Sequence, residues 1–180
     1  MKRIKIWDKE FEISLNYSDI QQAIKQIAKK MKVDLEGKET LFICILNGAF
    51  MFAADLMKEV ELIDSEISFL KLSSYSGTGP TGEVKELIGI NEVIAGRTVV
   101  ILEDIVDTGQ TVSKVHDQLI SKGAREVRIA TLLFKPDALK VKINIDYAGI
   151  VIPNDFIVGF GLDYNRRGRN LKDIYTLVKK

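Results

Sequence analysis

Val99-Val100-Ile101-Leu102-Glu103-Asp104-Ile105-Val106-Asp107-Thr108-Gly109-Gln110-Thr111 is the stretch that decides the fold. Thr98 and the continuous apolar run over residues 99–102 read as a strand buried on both faces. It ends in two adjacent carboxylates, followed by a short loop with a third carboxylate, a glycine and two threonines. A helix follows, with Val112, Val115, Leu119 and Ile120 on one face and Gly123 as its stop. In an open α/β sheet, ligands bind at the carboxyl ends of the strands. A helix N-terminus placed there offers free backbone N–H groups and a positive dipole end, which suit a phosphate. Gly109 lets the backbone come close, and the hydroxyls of Thr108 and Thr111 can donate to phosphate oxygens. Three carboxylates would repel that phosphate, so Glu103, Asp104 and Asp107 face something else: sugar hydroxyls, a magnesium ion, or a proton to be moved. Any one of these residues would equally suit an acidic strand end that caps the next helix; the ordered set argues for a ligand. No Walker A loop occurs, and Gly159-Phe160-Gly161 is only a fragment of a dinucleotide fingerprint.

Outward from this centre, strand-like runs alternate with helical ones. Ser18-Asp19-Ile20-Gln21 reads as a capping box, after which Ile20, Ile24, Ile27 and Met31 keep helical spacing. Residues 41–46 form another doubly buried strand, ended by Asn47-Gly48, and Phe50, Ala53, Ala54, Met57 and Val60 fit a helix. Residues 67–72 read as a strand running into a loop over 73–82, rich in glycine and hydroxyls. A strand is expected over 127–134, with shorter ones over 148–152 and 156–160. This alternation predicts an α/β fold: a mainly parallel twisted sheet with helices on both faces, and a small hood subdomain from the terminal segments. The expected organisation is a single domain over residues 1–180, with a core at about 35–150 and the hood from about 1–15 and 151–180.

Composition bounds the rest. The chain has 180 residues, 46% of them apolar, enough for one core at roughly 150 residues per domain. With one cysteine, Cys44, there is no internal disulfide framework or cysteine-rich zinc site, and Cys44 is expected to be inert in the core. Lys and Arg number 26 against 25 Asp and Glu, so net charge gives no pull toward nucleic acid or an anionic membrane. No apolar run is long enough to span a membrane, and residues 1–10 carry no secretory signal, so a cytoplasmic protein is expected. His116, the one histidine, and Trp7, the one tryptophan, are expected to serve packing or the surface.

Residues 99–111 resemble the phosphoribosyl pyrophosphate signature of the type I phosphoribosyltransferase family. Leu46-Asn47-Gly48, Ser73-Ser74-Tyr75, Leu133-Phe134-Lys135, Ile152-Pro153-Asn154-Asp155-Phe156-Ile157-Val158-Gly159 and Gly161-Leu162-Asp163-Tyr164-Asn165 with Arg169 extend the likeness, in the family's order, over residues 41–171. Lys135 and residues 156–163 are most similar to the hypoxanthine-guanine branch. The resemblance implies a purine salvage enzyme that transfers the 5-phosphoribosyl group from phosphoribosyl pyrophosphate to hypoxanthine or guanine, giving IMP or GMP and pyrophosphate. By this resemblance Asp107, Thr108, Gly109, Gln110 and Thr111 cradle the 5′-phosphate, and Glu103 and Asp104 face the ribose hydroxyls directly or through Mg2+. Asp107 is the implied acid or base at N7, Lys135 donates to O6, Phe156 stacks on the base, and the Ile157 backbone reads its amino edge. Asp163 holds a second magnesium and Arg169 binds pyrophosphate. Asn47 and Gly48 match the pyrophosphate loop, whose peptide is often cis in relatives; relatives often carry lysine where this chain has Asn47, so a charge contact is lost there. Ser74 and Tyr75 match a lid that closes over the site. A homodimer or homotetramer is implied as well.

Two other readings use the same residues. An RNA-binding regulator on this fold would need a basic face, for which Lys25, Lys29, Lys30 and Lys32 are the local candidates against a near-neutral whole, so no nucleic-acid partner is expected. A phosphoribosyltransferase preferring xanthine would differ only at C2 of the base, where the contacts are largely backbone.

Overall fold

The computed structural model describes residues 2–74 and 84–179. Tyr75 and residues 76–82, which carry most of the expected lid, lie outside the described residues.

Among the described residues, ten strands and three α-helices follow one another as β1 (Arg3–Ile6), β2 (Lys9–Leu15), α1 (Tyr17–Leu35), β3 (Thr40–Leu46), α2 (Phe50–Val60), β4 (Ser65–Ser74), β5 (Val84–Ile88), β6 (Thr98–Val106), α3 (Gln110–Ser121), β7 (Glu126–Phe134), β8 (Tyr147–Val151), β9 (Ile157–Val158) and β10 (Ile174–Leu177). The larger sheet has the order β5-β4-β3-β6-β7-β8. Strands β4, β3, β6, β7 and β8 are parallel, and β5 joins the edge antiparallel. The expected parallel α/β sheet is thus present. Helices α1 and α2 bury Ile24, Ile27, Met31, Phe52 and Leu56 against Phe42, Cys44, Val100 and Leu102 on one face. Helix α3 buries Val112, Val115 and Leu119 against Leu41, Ile43, Val99 and Ile101 on the other.

The smaller sheet, in the order β1-β2-β10-β9, unites the two ends of the chain around Ile6, Phe11, Val158 and Tyr175. It is the hood the fold reading expects. Asp173 ties it to α1: its buried carboxylate accepts from the Tyr17 N–H at 2.9 Å and from Lys2 Nζ at 3.3 Å. Among the described residues, no helix is long and apolar enough to cross a membrane.

Several local expectations change. The cap of α1 is Asn16, whose side chain accepts from the Asp19 N–H, rather than Ser18. Gln21 instead donates to Asp55 of α2 at 2.7 Å. The central strand does not stop at its carboxylates: β6 runs to Val106, because Ile105 and Val106 still pair with Leu133 and Phe134 of β7. Residues 73 and 74 belong to β4 rather than to a loop, paired with β5. The strand expected over 156–160 shrinks to β9 and joins the hood.

Candidate active site

Strands β3, β6, β7 and β8 all point their carboxyl ends the same way, so the segments after them meet at one edge of the larger sheet. Those segments carry Asn47-Gly48, residues 107–109, Lys135 and residues 152–156.

The segment after β6 lines a small cleft of about 90 Å³ with Glu103, Asp107, Thr108, Gly109 and Thr111. Gly109 has φ 76° and sits at the N-cap of α3, where no side chain caps the helix. Glycine in place of a capping side chain costs only about a few tenths of a kcal/mol. Burying Val112, Val115 and Leu119 offsets it at roughly 2 kcal/mol each. The start of the helix lines the cleft through Gly109 and Thr111, with the Gln110 N–H on Thr108 Oγ1 at a long 3.4 Å, and a helix N-terminus there is suited to an anion. A Cβ on Gly109 would come within 3.0 Å of Leu139 and Val141, so the chain after β7 presses on the loop from behind. The same chain is pinned by the Lys140 N–H, which donates to the Thr108 carbonyl at 3.0 Å. Gln110 and Thr111 are exposed at the start of the helix.

Within β6, Glu103 and Asp104 are neighbours near the carboxyl end of the strand. Glu103 Oε2 is buried and has no hydrogen-bond partner among the described residues. Burial, reinforced by the Asp104 charge, pushes Glu103 well above the usual carboxylate range. Asp104 is 9% exposed and also pushed up by burial, to about 6; the Ile105 N–H at 2.9 Å and the Arg169 charge pull the other way, and Asp163 adds to the rise. Cys44 lies buried in the neighbouring strand, its thiol pushed up to about 12 by burial and by these two acids, consistent with an inert core residue.

Asp104 faces the loop after β3. The Leu46–Asn47 peptide is cis, and Gly48 sits so close that a Cβ there would fall on the Asp104 carboxylate. A Cβ on Gly161 would in turn strike the Gly48 carbonyl oxygen. Arg169 donates to the Gly161 carbonyl at 2.6 Å and pairs with Asp163 at 2.5 Å. The other Asp163 oxygen accepts from the Arg166 N–H at 2.6 Å. Asp104, Gly48, Gly161, Asp163 and Arg169 thus form one continuous patch, and both oxygens of Asp163 already have protein partners.

Lys135 stands at the third side. Its side chain is 7% exposed, and its ammonium donates to the Asp155 carbonyl at 2.8 Å and lies 3.4 Å from Asp107 Oδ2. Phe156 follows, 45% exposed, against Phe11 and Tyr164. Ile157 pairs in the hood with Thr176. Ser74 ends β4 as described above, and His116 lies away from the cleft with its ring against Asp117.

Sequence reasoning did not single out Asp155, Gly161, Leu139, Val141 or Lys9. Asp155 and Gly161 act through backbone atoms, which leave no signature in side-chain type. Leu139 and Val141 look like ordinary apolar loop residues, and Lys9 like an ordinary surface charge.

A donor set of buried, unpartnered carboxylate oxygen and an adjacent acid fits a hard divalent cation. No three carboxylate, histidine or cysteine side chains among the described residues form a complete cage. A magnesium ion here would take its remaining oxygens from substrate and water.

The phosphoribosyl transferase domain family matches residues 15–165. A hypoxanthine-guanine phosphoribosyltransferase of Streptococcus thermophilus is 41% identical over 170 residues, covering 94% of each chain. The bifunctional protein TilS/HprT of Listeria monocytogenes is 38% identical over 167 residues; the alignment covers 92% of this chain and only 26% of that longer protein. A crystal structure of a hypoxanthine-guanine phosphoribosyltransferase from Bacillus anthracis superposes with a TM-score of 0.86 at 35% identity, covering 97% of this chain and all of that one. With an acid-loop-helix at the carboxyl edge of the sheet and relatives matching it nearly end to end, the chain belongs to the phosphoribosyl transferase family, in its hypoxanthine-guanine branch.

Proposed function

We propose that this protein transfers the 5-phosphoribosyl group from phosphoribosyl pyrophosphate to hypoxanthine or guanine and releases pyrophosphate. The observation that carries the reading is the buried Lys135 ammonium, fixed by the Asp155 carbonyl beside Asp107 and next to the uncapped start of α3. A permanent donor there suits the O6 acceptor of a 6-oxopurine and mismatches the amino group of adenine.

The 5′-phosphate would rest on the N–H groups and hydroxyls of residues 107–111, and the ribose hydroxyls would meet Glu103 and Asp104. Phe156 offers the base a face to stack on, and the Ile157 backbone reads its C2 edge. Gly48, the Asn47 peptide and Arg169 receive pyrophosphate; Arg169 must then exchange part of its contact with Asp163 for the anion. As the purine nitrogen bonds to C1′ and the bond to pyrophosphate breaks, Asp107 takes the proton that the base loses. Glu103 and Asp104 would hold Mg2+, which supplies neutralisation of the pyrophosphate charge when bound. Asp163, with both oxygens engaged, serves a second magnesium only by releasing a protein partner. A homodimer or homotetramer belongs to the same reading; the exposed apolar side chains of Phe50, Ile67 and Phe69 supply surface for it, and sedimentation would test it.

Pyrophosphate release, measured with magnesium and phosphoribosyl pyrophosphate, tests the proposal. Hypoxanthine or guanine should support release, with little from adenine or uracil. A folded protein that releases nothing with any of these bases, or one that favours adenine, would overturn it.

A further inference from the structure

The turn between β1 and β2 reaches the aromatic residue proposed to carry the base. Lys9 Nζ lies 5.6 Å from the centroid of the Phe156 ring and 4.7 Å from that of Tyr164. Tyr164 meets Phe156 edge-on at 5.8 Å and 85°, and the buried Phe11 tilts against both at 6.2 and 6.1 Å. Tyr164 is itself fixed from the same turn: its hydroxyl donates to Asp8 Oδ1 at 2.8 Å, and Trp7, at φ 55°, packs on it at 6.0 Å. Three consecutive residues, Trp7, Asp8 and Lys9, therefore act on the Phe156–Tyr164 pair from a part of the chain that contributes nothing else to the site.

Phe156 needs such help. With 45% of its surface exposed, its ring is packed on only part of its surface, by Phe11 and Tyr164. A ring that must be ordered when a ligand arrives weakens binding, and one ordered beforehand does not. An ammonium over an aromatic face is attracted by the ring quadrupole. We infer that Lys9 is a positioning residue for the base, holding the Phe156 ring in the pose on which the purine stacks. This rests on the function proposed above and adds a determinant of base affinity from the hood's first hairpin.

The test is steady-state kinetics of the full chain, varying hypoxanthine and phosphoribosyl pyrophosphate in turn, for wild type, Lys9→Met and Lys9→Arg. Methionine keeps an apolar stem without the charge. In Lys9→Met the KM for hypoxanthine should rise about two- to fivefold, with kcat and the KM for phosphoribosyl pyrophosphate unchanged. Arginine should restore the KM. Trp7 is the one tryptophan, so its fluorescence gives a base-binding constant independent of turnover, and this should weaken by the same factor. An unchanged hypoxanthine KM would sink the inference. A lower one would do the same, by showing that Lys9 covers the face the base needs. Equal losses in both KM values with a lower Tm would reduce Lys9 to a structural residue. Wild type inactive with every base would instead overturn the proposed function, whereas active wild type beside an indistinguishable Lys9→Met overturns only the role of Lys9.

Discussion

The Asp104 carboxylate fills the space that a side chain on Gly48 would need. The loop after β3 and the acid of β6 are therefore in direct contact, and each fixes the other. Asp104 is buried and tied to the Ile105 N–H, so it cannot step aside freely. Gly48→Ala should displace the loop, the acid, or both. A shift of this kind at a site of aligned reactants costs on the order of 100-fold. The expected result is about that loss in kcat/KM for phosphoribosyl pyrophosphate, with a cooperative thermal transition retained; wild-type kinetics would refute the contact's importance.

Asp107→Asn should separate chemistry from folding. The side chain is 47% exposed and its one ion pair, with Lys135, is 3.4 Å long. Lys135 is buried but keeps its hydrogen bond to the Asp155 carbonyl, and the asparagine oxygen still offers it an acceptor, so the loss of stability should be about 1 kcal/mol. Loss of a general base costs roughly 100- to 10,000-fold. Single-turnover rates should fall into that range while the Tm stays nearly constant. A preserved rate would remove Asp107 from the proton step.

Magnesium and pH should act on Asp104 together. Its folded pKa of about 6 stands above the ordinary 3.8, so the native state holds the proton more tightly than the unfolded chain does. The associated stability is complete below about pH 4 and is lost as pH rises through about 6. A shift of roughly two units corresponds to as much as about 3 kcal/mol. In chelator, the Tm should therefore fall between pH 5 and 8, and magnesium should recover part of it at pH 8. Asp104→Asn should flatten both responses. A wild-type Tm that ignores magnesium at pH 8 would count against a cation at these carboxylates.

Glu126 provides the opposite sign at the far end of the sheet. Lys38 first, then Thr98 and Arg128, hold its carboxyl down to about 2 from 4.5. Its stability is present above about pH 4.5 and is lost as pH falls through about 2. The side chain is 31% exposed, so solvent screening limits the effect to about 1 kcal/mol. Glu126→Gln should cost that much at pH 7 and nothing near pH 2 in chemical denaturation, with unchanged kinetics. A stability difference that persists at pH 2 would show that packing, not charge, is the cause.

The central strand, its loop and its helix were legible because they are local: apolar residues, then acids, then a turn, within 14 residues of chain counted from Thr98 to Thr111. The extension of β6 to Val106 was not, because acids normally end a strand and only the pairing with Leu133 and Phe134 keeps this one going. Of the hood strands, β9 was read as part of the strand expected over 156–160, and the others were visible only as leftover ends. β1 and β2 do alternate, with Ile4, Ile6, Phe11, Ile13 and Leu15 at period two, but β10 has four residues and too little pattern to read. Of the site, the acids and the turn after β6 stood out by side-chain type, and Lys135 only by the resemblance of its flanks. The Asp155 carbonyl that holds Lys135, and Lys9 over Phe156, depend on contacts between distant segments that no spacing encodes.

The placement of β10 between β2 and β9 has a kinetic consequence. The loop proposed to cradle phosphate is closed by neighbours in sequence, whereas the surface proposed for the base, around Phe156, exists only once distant segments have met; Tyr17 and Asp173, which join them, are 156 residues apart. Contacts of such separation form late and open early. Amide hydrogens of Thr176 and Leu177 should accordingly exchange together with those of Phe11 and Ile13, well ahead of Val100 and Leu102. Separation of the hood strands and loss of the surface proposed for the base are then a single event, and on the proposed function a partly unfolded molecule should still hold phosphate after it has lost its purine.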